Sequence, residues 1–177
     1  MPFPRLSIEE APAAARPLMT ASAKHLGFLP SPVARAARSP ALLAHLLAGF
    51  RAFEQSSLSP LEREVVAMTV AFENGCHYCM ALHSAALARD PANAALLAAL
   101  RAGRRLGEPR LDAIRDLTLD LLRGRTGEPA AGLSEENALD VALGVGVYVL
   151  STTVNVFLDA ELDPALAEFA WTKPTEP

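Results

Sequence analysis

The chain has only two cysteines, and they stand at CxxC spacing: Cys76 and Cys79, with His83 four residues further on. On a helix these three side chains fall within roughly 60° of one another, whereas Tyr78 points the other way and His77 lies about 100° off the shared face. In a chain of 177 residues two randomly placed cysteines would be three apart on the order of one time in a hundred, so the spacing calls for a chemical reason. Asn74 and Gly75 suit a helix start and put the first thiol in the opening turn, where unpaired N–H groups and the macrodipole favour a thiolate. Three readings are open. The cysteines could be small buried hydrophobes on an Ala-rich helix. They could ligate zinc with His83, but consecutive turns of one helix rarely close a tetrahedron, and no second CxxC or HxxxH completes the set. The third reading, thiol–disulfide chemistry, suits the pattern best, and it needs neither metal nor cofactor.

The elements that must hold these residues read as helices. Ser59-Pro60-Leu61-Glu62 is a helix start with a capping box, and the helix it opens carries Leu61, Val65, Met68 and Phe72 on one stripe to about Glu73. Glu62 and Arg63 face away from that stripe as ordinary surface charges. Glu64 lies on its border beside small Ala67 and Ala71, which would let the CxxC helix come close. On pattern alone Glu64 is a solvated charge at the edge of an amphipathic helix.

Upstream, residues 1–12 form an irregular arm with Pro2, Pro4 and Pro12. A helix over 13–26 is bent or weakened at Pro17 and ended by Gly27, a short one covers 33–38, and Ser39-Pro40 caps a third with a Leu42, Leu43, Leu46, Leu47, Phe50 stripe. His45 in that helix is a packed or surface histidine. Downstream, Asp90-Pro91 breaks the chain before a helix over 92–102, and another spans 111–122. The loop RGRTGEPAAG follows, and Ser134 caps a last long helix with Glu135 and Glu136 in its first turn. From Leu139 to Leu158 this helix is apolar on nearly every side, which implies burial in a core or a subunit interface. The tail, 163–177, reads as frayed, with Trp171 available to dock it. The expectation is an all-α, single-domain bundle over 1–177, with about seven to eight helices.

Composition bounds the function. Hydrophobic residues make up 51% and charged ones 20%, which is globular, and the net charge of −4 argues against nucleic acid and against a basic membrane-binding face. The densest basic group, Arg101, Arg104 and Arg105, reads as a solvated helix face. The N-terminus lacks an apolar signal region, and the longest apolar run, 141–150, is too short for a bilayer, so no membrane association is expected and a cytoplasmic location is. There a CxxC is more often catalytic than structural.

A Glu, a CxxC twelve residues later and a His four after its second Cys resemble the alkylhydroperoxidase D-like family of the carboxymuconolactone decarboxylase superfamily. Here these are Glu64, Cys76, Cys79 and His83, and the matching span runs from Ser59 to about Ala88. The resemblance implies an all-helical fold, homo-oligomers built as trimers or hexamers, and peroxide reduction through a disulfide cycle. Its partners would be a peroxide substrate and an external dithiol reductant, protein or small molecule. It also makes Glu64 a functional residue that orients His83. One departure is Tyr78, where the family's well-known peroxidases carry His before the second Cys. Decarboxylases of the superfamily typically lack the CxxC, so its presence argues against that activity. The residues leave the order of the thiols open: Cys76 has the better dipole position, while Cys79 is one turn from His83 and family precedent leans to it. A general dithiol–disulfide oxidoreductase or redox sensor would use the same four residues, and a helical assembly module with a vestigial CxxC would use none.

Overall fold

The computed structural model describes residues 3–125 and 132–174, and all regular structure among them is helical, as the all-α expectation requires. The helices are α1 (Arg16–Leu26), α2 (Ser31–Ala36), α3 (Pro40–Glu54), α4 (Pro60–Glu73), α5 (His77–Leu87), α6 (Ala94–Arg101), α7 (Pro109–Leu122) and α8 (Glu135–Phe157), with 3-10 segments at Pro91–Asn93 and Pro164–Phe169. Their starts follow from sequence. Proline, whose missing N–H is no loss in a first turn, opens α3, α4 and α7 behind Ser39, Ser59 and Glu108, each of which accepts a backbone N–H. Pro17, expected to bend α1, instead lies in its first turn. Of the loop expected over 123–132, residues 126–131 lie outside the described residues, as do residues 1–2 of the arm and 175–177 of the tail.

The bundle is organised around α4. The single stripe expected for it understates its burial, because every residue from Val65 to Ala71 is buried as α4 packs against α5, α7 and α8, with α3 and α6 also touching it. Close approach is achieved with small residues. A Cβ on Gly144 of α8 would stand 2.5 Å from the Phe53 ring of α3 and 3.0 Å from Val66 of α4, so only glycine fits where the three helices meet.

Glu62 is not the surface charge expected. It is 6% exposed, completes the capping box by accepting the Ser59 N–H, and receives a short hydrogen bond from the Arg110 guanidinium of α7. The three-residue periodicity that turns Glu62 away from the α5 side turns it towards α7. Arg101 likewise is no solvated charge: its guanidinium donates to Ser84 Oγ of α5 and to the carbonyls of Phe169 and Ala170.

The C-terminal segment, expected to fray from Asp163, is instead fastened along the bundle. Asp163 and Leu166 are buried, and Trp171 docks against Phe72 while its indole N–H donates to the Arg101 carbonyl. Charged and polar groups cannot be buried without partners, and Asp163 has three: the Arg5 guanidinium at 2.8 Å, the Ser31 N–H at 2.8 Å and the Tyr78 hydroxyl at 2.7 Å. The irregular N-terminal arm, α2, the CxxC segment and the C-terminal segment therefore meet at one carboxylate. At 23 residues α8 is long and apolar enough by length and composition to cross a membrane, longer than the run of 141–150 suggested. In the bundle it packs against α3, α4 and α7, burying Ser151, Thr152 and Asn155.

Candidate active site

The site is built at the junction of α4 and α5. Helix α4 ends in a Schellman motif: Gly75 takes φ +63°, the Cys76 N–H bonds the Ala71 carbonyl at 2.9 Å, and the Gly75 N–H bonds that of Phe72 at 3.2 Å. The next helix starts at once, so Cys76 is not in its opening turn, as expected, but is its N-cap. The Cys76 Sγ takes the place usually held by a Ser or Asp oxygen and accepts the Cys79 N–H at 3.4 Å. Both flanks of this thiol are thereby fixed by backbone geometry, and it faces the positive end of α5.

The four residues singled out by sequence come together. Cys76 and Cys79 are free thiols, 1% and 3% exposed. One turn on, His83 Nδ1 meets Glu64 Oε2 at 2.8 Å, with side-chain exposures of 12% and 24%. Glu64, at the border of the α4 stripe, is thus turned to α5 rather than to solvent. Its carboxylate fixes Nδ1 as the donor and leaves Nε2 without a protein partner among the described residues. Burial pulls the His83 pKa down, but the carboxylate, its hydrogen bond and the nearby Cys76 charge outweigh it, and the net direction is upward.

The two thiols are driven apart. A hydrogen bond from the Cys79 thiol lowers Cys76 to about 7 against the opposing effect of burial, helped by the Cys79 N–H and the Asn155 amide. Cys79 moves the other way, held protonated by that same bond, by burial and by the Cys76 charge. These shifts favour negative charge on Cys76 over Cys79, and the electrostatics do not follow the lean of family precedent towards Cys79.

Several residues that the sequence reading did not select complete the site. Asn155 of α8 donates its amide to Cys79 Sγ at 3.2 Å and reaches Cys76 Sγ at 3.9 Å. Tyr148, two turns earlier, sets its ring edge-on to His83 at 5.2 Å and packs with Phe50 and Phe53. Thr152 accepts from Asn74 at 2.8 Å, just before the CxxC. The available signal was the polar run Ser151, Thr152, Thr153, Asn155 inside an apolar helix, since buried polar groups require partners. The two residues between the cysteines are also held: His77 Nε2 lies 2.9 Å from the Ala160 carbonyl, and Tyr78, pushed well above its ordinary pKa by burial and by Asp163, donates to that carboxylate. The position where Tyr78 replaces a histidine thus serves as an anchor. No group of three or more His, Cys, Asp or Glu among the described residues forms a metal site.

Residues 39–108 match the carboxymuconolactone decarboxylase family, a span that contains Glu64, Cys76, Cys79 and His83 but not Tyr148 or Asn155. Among proteins of curated function none matches. Three solved structures share the fold. The alkylhydroperoxidase AhpD core, an uncharacterized peroxidase-related protein from Ralstonia eutropha JMP134, is 20% identical with a TM-score of 0.81, covering 93% of each chain. An uncharacterized peroxidase-related protein from Silicibacter sp. TM1040 is 22% identical with a TM-score of 0.74, covering 91% of each. A cysteine-to-alanine variant of the debrominase Bmp8, in complex with 2,3,4-tribromopyrrole, is 17% identical with a TM-score of 0.75, covering 96% of this chain and 95% of that one. Residues 39–108 thus resemble the carboxymuconolactone decarboxylase family, and the helices share the fold of the AhpD core.

Proposed function

We propose that the protein is a thiol-dependent peroxidase that reduces alkyl or hydrogen peroxides through a Cys76–Cys79 disulfide cycle. The observation that carries this reading is geometric: two free thiols one turn apart, with Cys76 capping α5 and accepting the Cys79 N–H, beside a histidine held by Glu64 at 2.8 Å. In the first step the Cys76 thiolate attacks one peroxide oxygen and the O–O bond breaks. Cys76 is oxidised to the sulfenic acid, and the departing alkoxide takes a proton from His83 and leaves as alcohol. In the second step the Cys79 sulfur attacks the sulfenic sulfur. A disulfide forms, and the hydroxyl leaves as water with the Cys79 proton. An external dithiol then reduces the disulfide by exchange, and the thiol proton returned to Cys76 passes to His83, restoring the thiolate and the imidazolium.

The burial of both sulfurs favours a small oxidant over a protein disulfide. A general dithiol–disulfide oxidoreductase remains the competing reading, and the same experiment separates the two. Mixing the reduced protein with stoichiometric cumene hydroperoxide in stopped flow should consume both thiols rapidly. Inertness to cumene hydroperoxide and hydrogen peroxide, with ready reaction towards protein disulfides, would overturn the peroxidase reading.

A homo-oligomer, trimer or hexamer, belongs to the same proposal. Supporting it, α8 leaves Leu139 72% exposed, with Leu143, Val156 and Phe157 also exposed, and a groove of about 340 Å³ runs beside it, lined by Leu46, Leu143, Gly146, Val147 and Leu150. Such a face on a chain of this size is the kind that a subunit covers.

A further inference from the structure

We propose that Asn155 is the group that holds the two sulfurs in register and sets their redox balance, an inference that rests on the disulfide cycle above. The Asn155 side chain is 93% buried at the end of α8, and its one amide nitrogen reaches both reacting atoms, Cys79 Sγ at 3.2 Å and Cys76 Sγ at 3.9 Å. An amide nitrogen has two hydrogens, so it can fork between two sulfurs where a hydroxyl could serve only one.

The position of that amide is fixed from several directions. Just past Asn155, α8 ends in a Schellman motif: the Ala160 N–H bonds the Asn155 carbonyl at 3.0 Å, the Asp159 N–H bonds that of Val156 at 3.1 Å, and Asp159 takes φ +47°. The Ala160 carbonyl then meets His77 Nε2, and Asp163 accepts from Tyr78, so residues 155–163 grip the CxxC at both of its intervening residues and at both of its sulfurs. Hydrogen bonds thus tie the donor to its targets although they are 76 and 79 residues apart in sequence.

The consequence has a sign. A donor at hydrogen-bonding distance favours a sulfur that carries negative charge over a neutral disulfide sulfur, which is a weak acceptor. Asn155 therefore stabilises the reduced, thiolate-bearing pair and makes the disulfide easier to reduce. When the external dithiol opens the bridge, the sulfur released as thiolate meets the amide already in place, whichever of the two is attacked.

The test compares Asn155→Leu, which keeps the bulk without the donor, with Asn155→Asp, which keeps the shape and puts a charge in its place. Two quantities are measured, neither of which uses peroxide: the pH dependence of iodoacetamide alkylation, and the thiol–disulfide equilibrium against glutathione. Asn155→Leu should slow alkylation at pH 7 by about tenfold and shift the equilibrium about tenfold towards the disulfide, which is about 30 mV for a two-electron couple. Asn155→Asp should do the same more strongly. Folded variants with wild-type alkylation profiles and wild-type equilibria would overturn the proposal, and so would loss of the helical circular dichroism in both variants, which would assign Asn155 to the core alone. A protein inert to every hydroperoxide but showing these shifts would refute the peroxidase reading and leave this one standing.

Discussion

Replacing Glu64 with glutamine removes the charge beside His83 while keeping its shape. The carboxylate lies 2.8 Å from Nδ1, and the two side chains are 24% and 12% exposed, so the pair is neither fully solvated nor fully buried. At that separation two unit charges attract by about 1.5 kcal/mol in water and by about 6 kcal/mol at an effective dielectric of ~20. Residual exposure and relaxation bring the net effect towards the lower limit, about 1.5 to 3 kcal/mol. Since Glu64 is what raises His83 against its burial, Glu64→Gln lowers the His83 pKa. Less imidazolium is then available to protonate a departing alkoxide on the alkaline side, and peroxide reduction there slows by about 10- to 100-fold, the scale of about 1.5 to 3 kcal/mol.

The assay is single-turnover oxidation of reduced protein by cumene hydroperoxide, run beside oxidation by diamide, which needs no proton delivered to an alkoxide and should change little. Glu62 cannot serve as the comparison, because it is buried against Ser59 and Arg110 and its loss would disturb the start of α4. Exposed Glu136, in the first turn of α8, is the suitable control. Equal peroxide rates for Glu64→Gln, Glu136→Gln and wild type would remove Glu64 from the mechanism. The stability difference between wild type and Glu64→Gln has its own pH signature. A histidine whose folded pKa is raised contributes fully below its unfolded value near ~6.5 and loses that contribution as pH rises through the folded value, so the difference should shrink on the alkaline side.

Four further outcomes can be checked. Iodoacetamide alkylation should rise with pH through a midpoint near 7 and be lost in Cys76→Ser, whereas the remaining thiol of that variant, Cys79, should react only at high pH; a midpoint that follows Cys79 would reverse the assignment. Peroxide reduction should rise through the same midpoint and fall again once pH passes the raised value of His83, giving a bell whose alkaline limb moves to lower pH in Glu64→Gln. Light scattering at micromolar concentration should show a multiple of 18.8 kDa, and Leu139→Glu with Leu143→Glu should reduce it; a monomer in the unaltered chain refutes the oligomer. Gly144→Ala should lower stability by about 1 to 3 kcal/mol, read as a fall in Tm, because its Cβ would stand 2.5 Å from Phe53 in a packed core.

How much of this was legible in sequence depends on how local the signal is. The starts of α3, α4 and α8 are readable because a cap acts within four residues, and Cys76, Cys79 and His83 because helical spacing puts them on one face, whereas Glu64 is a solvated charge on pattern alone and joins them only through the family resemblance. The errors share a different cause. Glu62 and Arg101 read as solvated because they are charged, and Asp163 as frayed because it opens the tail, yet Glu62 and Asp163 are buried and all three are paired with groups at least 17 residues away in sequence, which no local pattern encodes.

Helix α8 shows the same limit from the other side. Its apolar composition suggested a uniform core or interface element, yet one of its faces carries Tyr148, Ser151, Thr152 and Asn155 at helical spacing. Against a background of Val and Leu those polar groups are conspicuous, and a helix that buries them needs something polar to bury them against. The other polar surface lies at the mouth of α5, where Asn74 and the two sulfurs stand, so the polar minority of α8 rather than its apolar majority ties the helix to the chemistry. The apolar remainder is free to serve a different purpose on the opposite side, where Leu139 and Leu143 are exposed. One helix can thus link subunit contact to the thiols: a neighbour that covers the outer face of α8 would stiffen the element holding the Asn155 amide against Cys76 and Cys79.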